Sequence, residues 1–209
     1  MTLADQLDLE TYERTGVRLM QLVLVGIVGY AAVTLNAGLL FNSAVPLAIT
    51  FVPALLRRDY GLPMDAGLTL WITAAVFLHA VGALGPYRSI PWYDQVAHAL
   101  SASVVAVSGY AVIRALEIHS DDVRLRSKVR AIYLIVFVLA FGVLWEIAEF
   151  ASGGLAALIG GRALLAQYGL DDIVLDLLFN VAGAVIVAAW GGGVSDALSR
   201  AISRRVLDE

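Results

Sequence analysis

Long apolar stretches of the sequence are interrupted by a small set of ionisable and amide residues: His79, Asp94, His98, Glu146, Glu149, Asp172, Asp176 and Asn180. Asp94 and His98 are four residues apart, so a helix places them on one face. A carboxylate in that position fixes the tautomer of an imidazole or joins it in ligating one cation. Capping of a helix after Pro91 accounts for Asp94 alone and leaves His98, a turn deeper, unexplained. Glu146 and Glu149 are three apart and share a stripe with Gly142. At the end of a helix such a pair opposes the helix dipole, and a cation or a histidine is needed to offset it. Asp172, Asp176 and Asn180 recur every four residues, with Asp171 as the expected cap and Gly183 as a close-packing position. His79 stands alone and joins the set as a weaker candidate.

Oxygen and imidazole donors in this mixture suit a divalent metal ion. The expected ligands are His98, Glu146, Asp172 and Asp176. Asp94 is expected to support His98, and Glu149 to act as a base, so these two form the catalytic pair. His79 and Asn180 complete the polar cluster.

Charged groups are costly in hydrocarbon and are retained there beside a partner, an ion or a water-filled cavity. The surrounding composition shows that hydrocarbon is the setting. Hydrophobic residues make up 60% and charged residues 15% of the 209 positions, against ~45–50% and ~25% in soluble domains. Mean hydropathy is +0.81. The length allows one membrane domain. A net charge of −4 gives no basic surface for nucleic acid. With no cysteine, disulfides and thiolate chemistry are excluded. The one lysine, Lys128, lies in a polar segment, so no lysine is available within a span.

A span requires roughly 20 apolar residues. Six transmembrane helices are expected, near Val17–Leu35, Leu39–Leu56, Ala66–Leu84, Val96–Leu116, Ala131–Phe150 and Ile173–Trp190. Pro46 and Pro53 predict a kink in the second. The start of the chain lacks the basic residues of a secretory signal, so the first span is expected to remain as an anchor. Short amphipathic surface helices are expected at Leu3–Tyr12, at Val194–Val206 and, as an interfacial or re-entrant piece, at Leu155–Gln167. Trp92, Tyr93, Trp145 and Tyr168 read as an aromatic belt. With the N-terminus inside, the cytoplasmic segments hold Arg14, Arg18, Arg57, Arg58, Arg114, Arg124, Arg126, Lys128, Arg130, Arg200, Arg204 and Arg205, and the outer side only Arg88 and Arg162. That bias predicts cytoplasmic termini in a multi-pass plasma-membrane protein, with the polar cluster facing the exterior.

The ordered set Asp94-x-x-x-His98, Trp145-Glu146-x-x-Glu149 and Asp172-x-x-x-Asp176-x-x-x-Asn180-x-x-Gly183 resembles the YjdF-like family of small membrane proteins. Its first and last parts are also similar to VanZ-type proteins, which are linked to glycopeptide tolerance. In that second group a Gln tends to follow the Glu, where this chain has Glu146 and Glu149. The resemblance spans about residues 65–190 and implies architecture rather than activity.

Three functions follow from the residues. A metal-dependent hydrolase or transferase acting on a lipid-linked or envelope substrate uses the cluster fully. An accessory scaffold uses it only for interhelical bonds, worth ~0.6–2 kcal/mol each. A transporter needs polar residues at both depths, whereas the inner halves of the spans are apolar.

Overall fold

The computed structural model describes residues 3–120, 122–165, 167, 169–190 and 192–204. They form an all-helical bundle: α1 (Leu3–Val33), α2 (Ala37–Ile49), α3 (Val52–Asp59), α4 (Ala66–Gly82), α5 (Pro86–Ser89), α6 (Tyr93–His119), α7 (Ser127–Ile159), α8 (Leu170–Trp190) and α9 (Gly192–Ile202). Among the described residues, five stretches are long and apolar enough to cross a membrane: Asp8–Val33, Ala37–Asp59, Tyr93–His119, Ser127–Ile159 and Leu170–Ala189. The expected third span is α4, which at 17 residues is shorter than these.

Local chemistry explains the breaks. Asn36 caps α2 by accepting from the Leu39 amide at 3.1 Å. Pro46 and Pro53 interrupt the second crossing at Thr50-Phe51, between α2 and α3. The Thr50 hydroxyl donates to the Leu47 carbonyl and accepts from Gln21 Nε2 at 3.0 Å, tying the kink to α1. Asp65 caps α4.

Several expectations are corrected. The expected Leu3–Tyr12 helix is the first part of α1, with no break before the span. The expected Leu155–Gln167 helix does not exist as a unit. Leu155 to Ile159 continue α7, and Gly160, at φ 68°, ends it. Gly153 and Gly154 cost only ~1 kcal/mol each in a helix, too little to break one with apolar turns on both sides. Glu146 and Glu149 therefore lie inside α7 rather than at its C-terminal end. Asp171 sits within the first turn of α8 and is exposed. Trp92 occupies the cap position of α6, without a side-chain cap, so Asp94 has no capping role. Tyr168, Arg205 and Val206 lie outside the described residues.

The helices are arranged as two packed groups. Leu24, Ile27 and Ala31 of α1 pack with Leu39 of α2 and Ala80 of α4. A second core joins α6, α7 and α8 with Leu62, Met64 and Leu68. Leu198 and Ala201 of α9 belong to it as well, so α9 seals the end of the bundle instead of resting on the headgroups alone. α4 packs against α6 and links the groups.

Within the second group the α6–α8 crossing is the tightest. A Cβ at Gly183 would strike the Ala99 carbonyl oxygen, and would lie 2.9 Å from both Ala102 Cβ and Ser103 N. Only glycine admits that approach. On the next seam, a Cβ at Gly142 would fall 2.7 Å from Asn180 Nδ2. These two contacts set the level of α8 against α6 and α7.

Candidate metal centre

The α6–α8 crossing places Asp176 opposite His98, two turns along α8 from Gly183. His98 Nε2 lies 3.5 Å from Asp94 Oδ1 and 3.6 Å from Asp176 Oδ2. One donor atom from each of Asp94, His98 and Asp176 lies within 4.8 Å of the others. The nitrogen–oxygen distances exceed the ~2.7–3.2 Å of an N–H···O bond. Two ligands of a tetrahedral ion, each ~2.0–2.2 Å from it, stand ~3.3–3.6 Å apart. The spacing thus matches donors that share an ion better than donors that bond each other.

Asp176 is buried, with 4% of its side chain exposed. Its Oδ1 has no hydrogen-bond partner among the described residues. A buried carboxylate oxygen left unpaired is costly, and a cation would meet that need. Asn180 stands beside His98, one turn further along α8. Asp172 stands beside the Asp94 carboxyl, one turn before Asp176.

The arrangement departs from the expected ligand set. Asp94, expected to stand behind His98, is in the triad. Asp172 and Glu146, expected as ligands, flank it. The register fixed at Gly183 brings Asp176 level with His98 and leaves Asp172 a turn higher. Glu146 is buried on α7, where Oε2 accepts from Gln167 Nε2 at 3.5 Å and Oε1 has no partner among the described residues. Glu149 is also buried, and its Oε1 accepts from Trp145 Nε1 at 3.0 Å. Trp145, expected in the aromatic belt, is a hydrogen-bond donor within the site.

His79 is used elsewhere. Burial, and after it the nearby Asp94, pushes the Tyr87 phenol above its usual range, so it stays a donor. It lies 2.7 Å from His79 Nδ1. The other ring nitrogen then carries the proton and points at Asn42 Oδ1, 3.3 Å away. Asn42 Nδ2 donates to the carbonyls of Gly38 and Leu164, which fixes its amide orientation. With both nitrogens engaged, His79 is an orienting residue outside the triad. Tyr87→Phe should lower thermal stability by about 0.5–1.5 kcal/mol, measured by melting in detergent, and leave metal content unchanged. A loss of metal in this variant would make His79 part of the ion site.

Sequence reading did not single out Asn42, Tyr87, Ser152 or Gln167. Asn42 had a signal, as an amide inside an apolar run. Ser152 had none. Its hydroxyl accepts from the amides of Leu164 and Leu165, at 3.0 Å each, and so holds the segment after α7 over the polar residues. Below that segment is a cavity of about 640 Å³, lined by Asp94, His98, Glu149, Asp172 and Asp176 together with Arg88 and Arg162.

The chain is 31% identical over 123 residues to an uncharacterized protein of Thermotoga maritima, an overlap covering 57% of this chain and 58% of that one. The chain thus spans somewhat under two thirds of that relative's length. No solved structure matches it. The pattern of one family, described as predicted membrane protein (DUF2238), matches residues 16–197, which include every residue of the triad and its surroundings. The chain belongs to the DUF2238 family of membrane proteins.

Proposed function

We propose that this protein is a divalent-metal-dependent membrane hydrolase or transferase, with Asp94, His98 and Asp176 as ligands, acting on the headgroup of a lipid-linked or envelope substrate. The observation that carries this reading is the His98 imidazole standing between two carboxylates at ligand spacing, one of them with an unpaired buried oxygen. Three protein ligands leave a coordination position open, as catalytic sites do. A divalent ion there would polarise a substrate oxygen and lower the pKa of a bound water. Glu149 lines the same basin and is placed to take a proton. Arg88 and Arg162 supply positive charge for an anionic group. Asp172 orients Asp94, and Asn180 orients His98.

The finer kinship, with YjdF-like and VanZ-type proteins, is part of this proposal. So is the topology. α4 forms a short sixth crossing, both termini are cytoplasmic, and the site faces the exterior of the plasma membrane. The inward bias of Arg and Lys supports that orientation.

Elemental analysis of detergent-purified protein, prepared without chelator, tests the metal. About one divalent ion per chain is expected in the wild type, and little in His98→Ala, with both eluting as folded protein. A metal-free wild type would turn the assignment toward a scaffold in which Asp176, His98 and Asn180 only bind α8 to α6.

A further inference from the structure

A second cavity, of about 480 Å³, begins directly beneath the polar basin. His79, His98 and Asn42 border both, so the two meet at the triad. Below that rim the character changes. The lining runs from His98 to Val105 on α6 and from His79 to Ile72 on α4, about 10 Å along each helix. Its walls below the rim are mostly apolar, with Val76, Val105 and Val138 among them and Ser101 and Asn180 as the polar exceptions.

The chamber has a side opening. α2 contributes Phe41, Val45, Pro46 and Ile49, and α7 contributes Val138 and Phe141. Both helices line the chamber, α2 packed on α1 and α4, and α7 on α6 and α8. Phe41 and Phe141, one on each side, are 39% and 50% exposed on the lipid-facing surface. The gap therefore opens into hydrocarbon, whereas Asn42 and Leu164 close it at the polar end.

An apolar slot in contact with bilayer hydrocarbon on one side and with a triad of polar ligands at its top has one kind of complement. We infer that the substrate is an amphiphile of which one hydrocarbon chain enters between α2 and α7 and lies in this chamber, while its anionic headgroup reaches Asp94, His98 and Asp176. The headgroup part rests on the metal reading above. The chain part rests on the chamber alone. The volume lies within the ~300–1,000 Å³ range of ligand sites. A membrane lipid delivers a chain sideways without crossing water, so the slot need not open to the outside.

Photolabelling of the full-length protein in liposomes of phosphatidylethanolamine and phosphatidylglycerol tests this. One arm carries phosphatidylglycerol with a diazirine midway along an acyl chain. The other carries a diazirine-bearing polyprenyl phosphate. Label on Val76, Val105 or Val138 is expected from one arm, and the arm identifies the chain as acyl or isoprenoid. Val76→Trp and Val105→Trp fill the chamber from two different helices and replace none of the polar residues. Displacing even two methylenes lowers occupancy about fifteenfold at subsaturating probe, so the remaining chamber label should fall by that factor in either variant that stays folded. Label confined to outward residues that do not line the chamber, such as Val136 and Leu144, in both arms, or chamber label undiminished in the tryptophan variants, would overturn the inference. Chelator-treated protein separates the two proposals. Chamber labelling that persists without metal upholds the chain site even if the protein proves not to be a metalloenzyme. Full metal content with an unlabelled chamber sinks the chain site alone.

Discussion

Asp176→Asn is expected to cost the protein its bound cation while leaving the fold intact. Asparagine has nearly the same shape as aspartate but supplies no charge to an ion. Loss of residues that only orient a ligand weakens metal binding about 10–100-fold. Loss of a ligand should exceed the upper end of that range. Stability should move the other way. The buried Asp176 Oδ1 has no partner among the described residues, and an unsatisfied buried polar group costs ~1–3 kcal/mol. Replacing the charged carboxylate by a neutral amide relieves part of that cost. The metal-free melting temperature of the variant should therefore equal or exceed that of metal-free wild type. Isothermal titration with a divalent ion, paired with melting in the presence and absence of chelator, reads both effects. Unchanged affinity would remove Asp176 from the site. A lower metal-free melting temperature would show that the carboxylate is already satisfied within the protein.

The second large effect is expected at Gly183. Its Cα hydrogen faces the backbone of α6 at Ala99 and Ser103, where even a methyl group has no room. Gly183→Leu must push α8 away from α6 or turn it. Overpacking of this kind costs typically ~1–3 kcal/mol, and the obstacle here is backbone, which cannot swing aside. Displacement of α8 also carries Asp176 off the level of His98. Melting and cation binding should fall together. Gly26 provides the control, since a Cβ there meets nothing within 4 Å. Gly26→Ala should be neutral or stabilising by up to ~1 kcal/mol, because alanine favours helix over glycine. If Gly183→Leu binds the cation as the wild type does, the geometry of the triad does not depend on this crossing.

Spacing within one helix was legible in the sequence. Asp94 and His98 share a face at four residues, as do Asp176 and Asn180, and both pairs converge. Five of the six expected crossings were legible as helices of sufficient length and hydropathy, because the bilayer leaves few other choices. What remained hidden depended on how one helix stands against another. Asp172 and Asp176 are equivalent by period, and only the depth set by Gly183 against Ala99 selects Asp176. Nor does sequence spacing show that His79 spends both nitrogens on Tyr87 and Asn42, which come from other elements. The end of α7 lies beyond the expected Phe150, across Gly153-Gly154. Those glycines weaken the helix without ending it, since the next apolar turns extend it to Gly160.

That extension has a consequence for the membrane itself. The outward face of α7 is apolar from Ile132 to Ile159, with Leu158 86% exposed. This face is about 40 Å long, whereas a bilayer's hydrocarbon is ~30 Å thick. Such a mismatch is relieved by leaning the helix or by stretching the surrounding lipid. α7 also carries Glu146 and Glu149. A thicker or thinner bilayer would change its lean and with it the approach of those two acids to the ion site, making the host membrane's thickness a determinant of how the protein works.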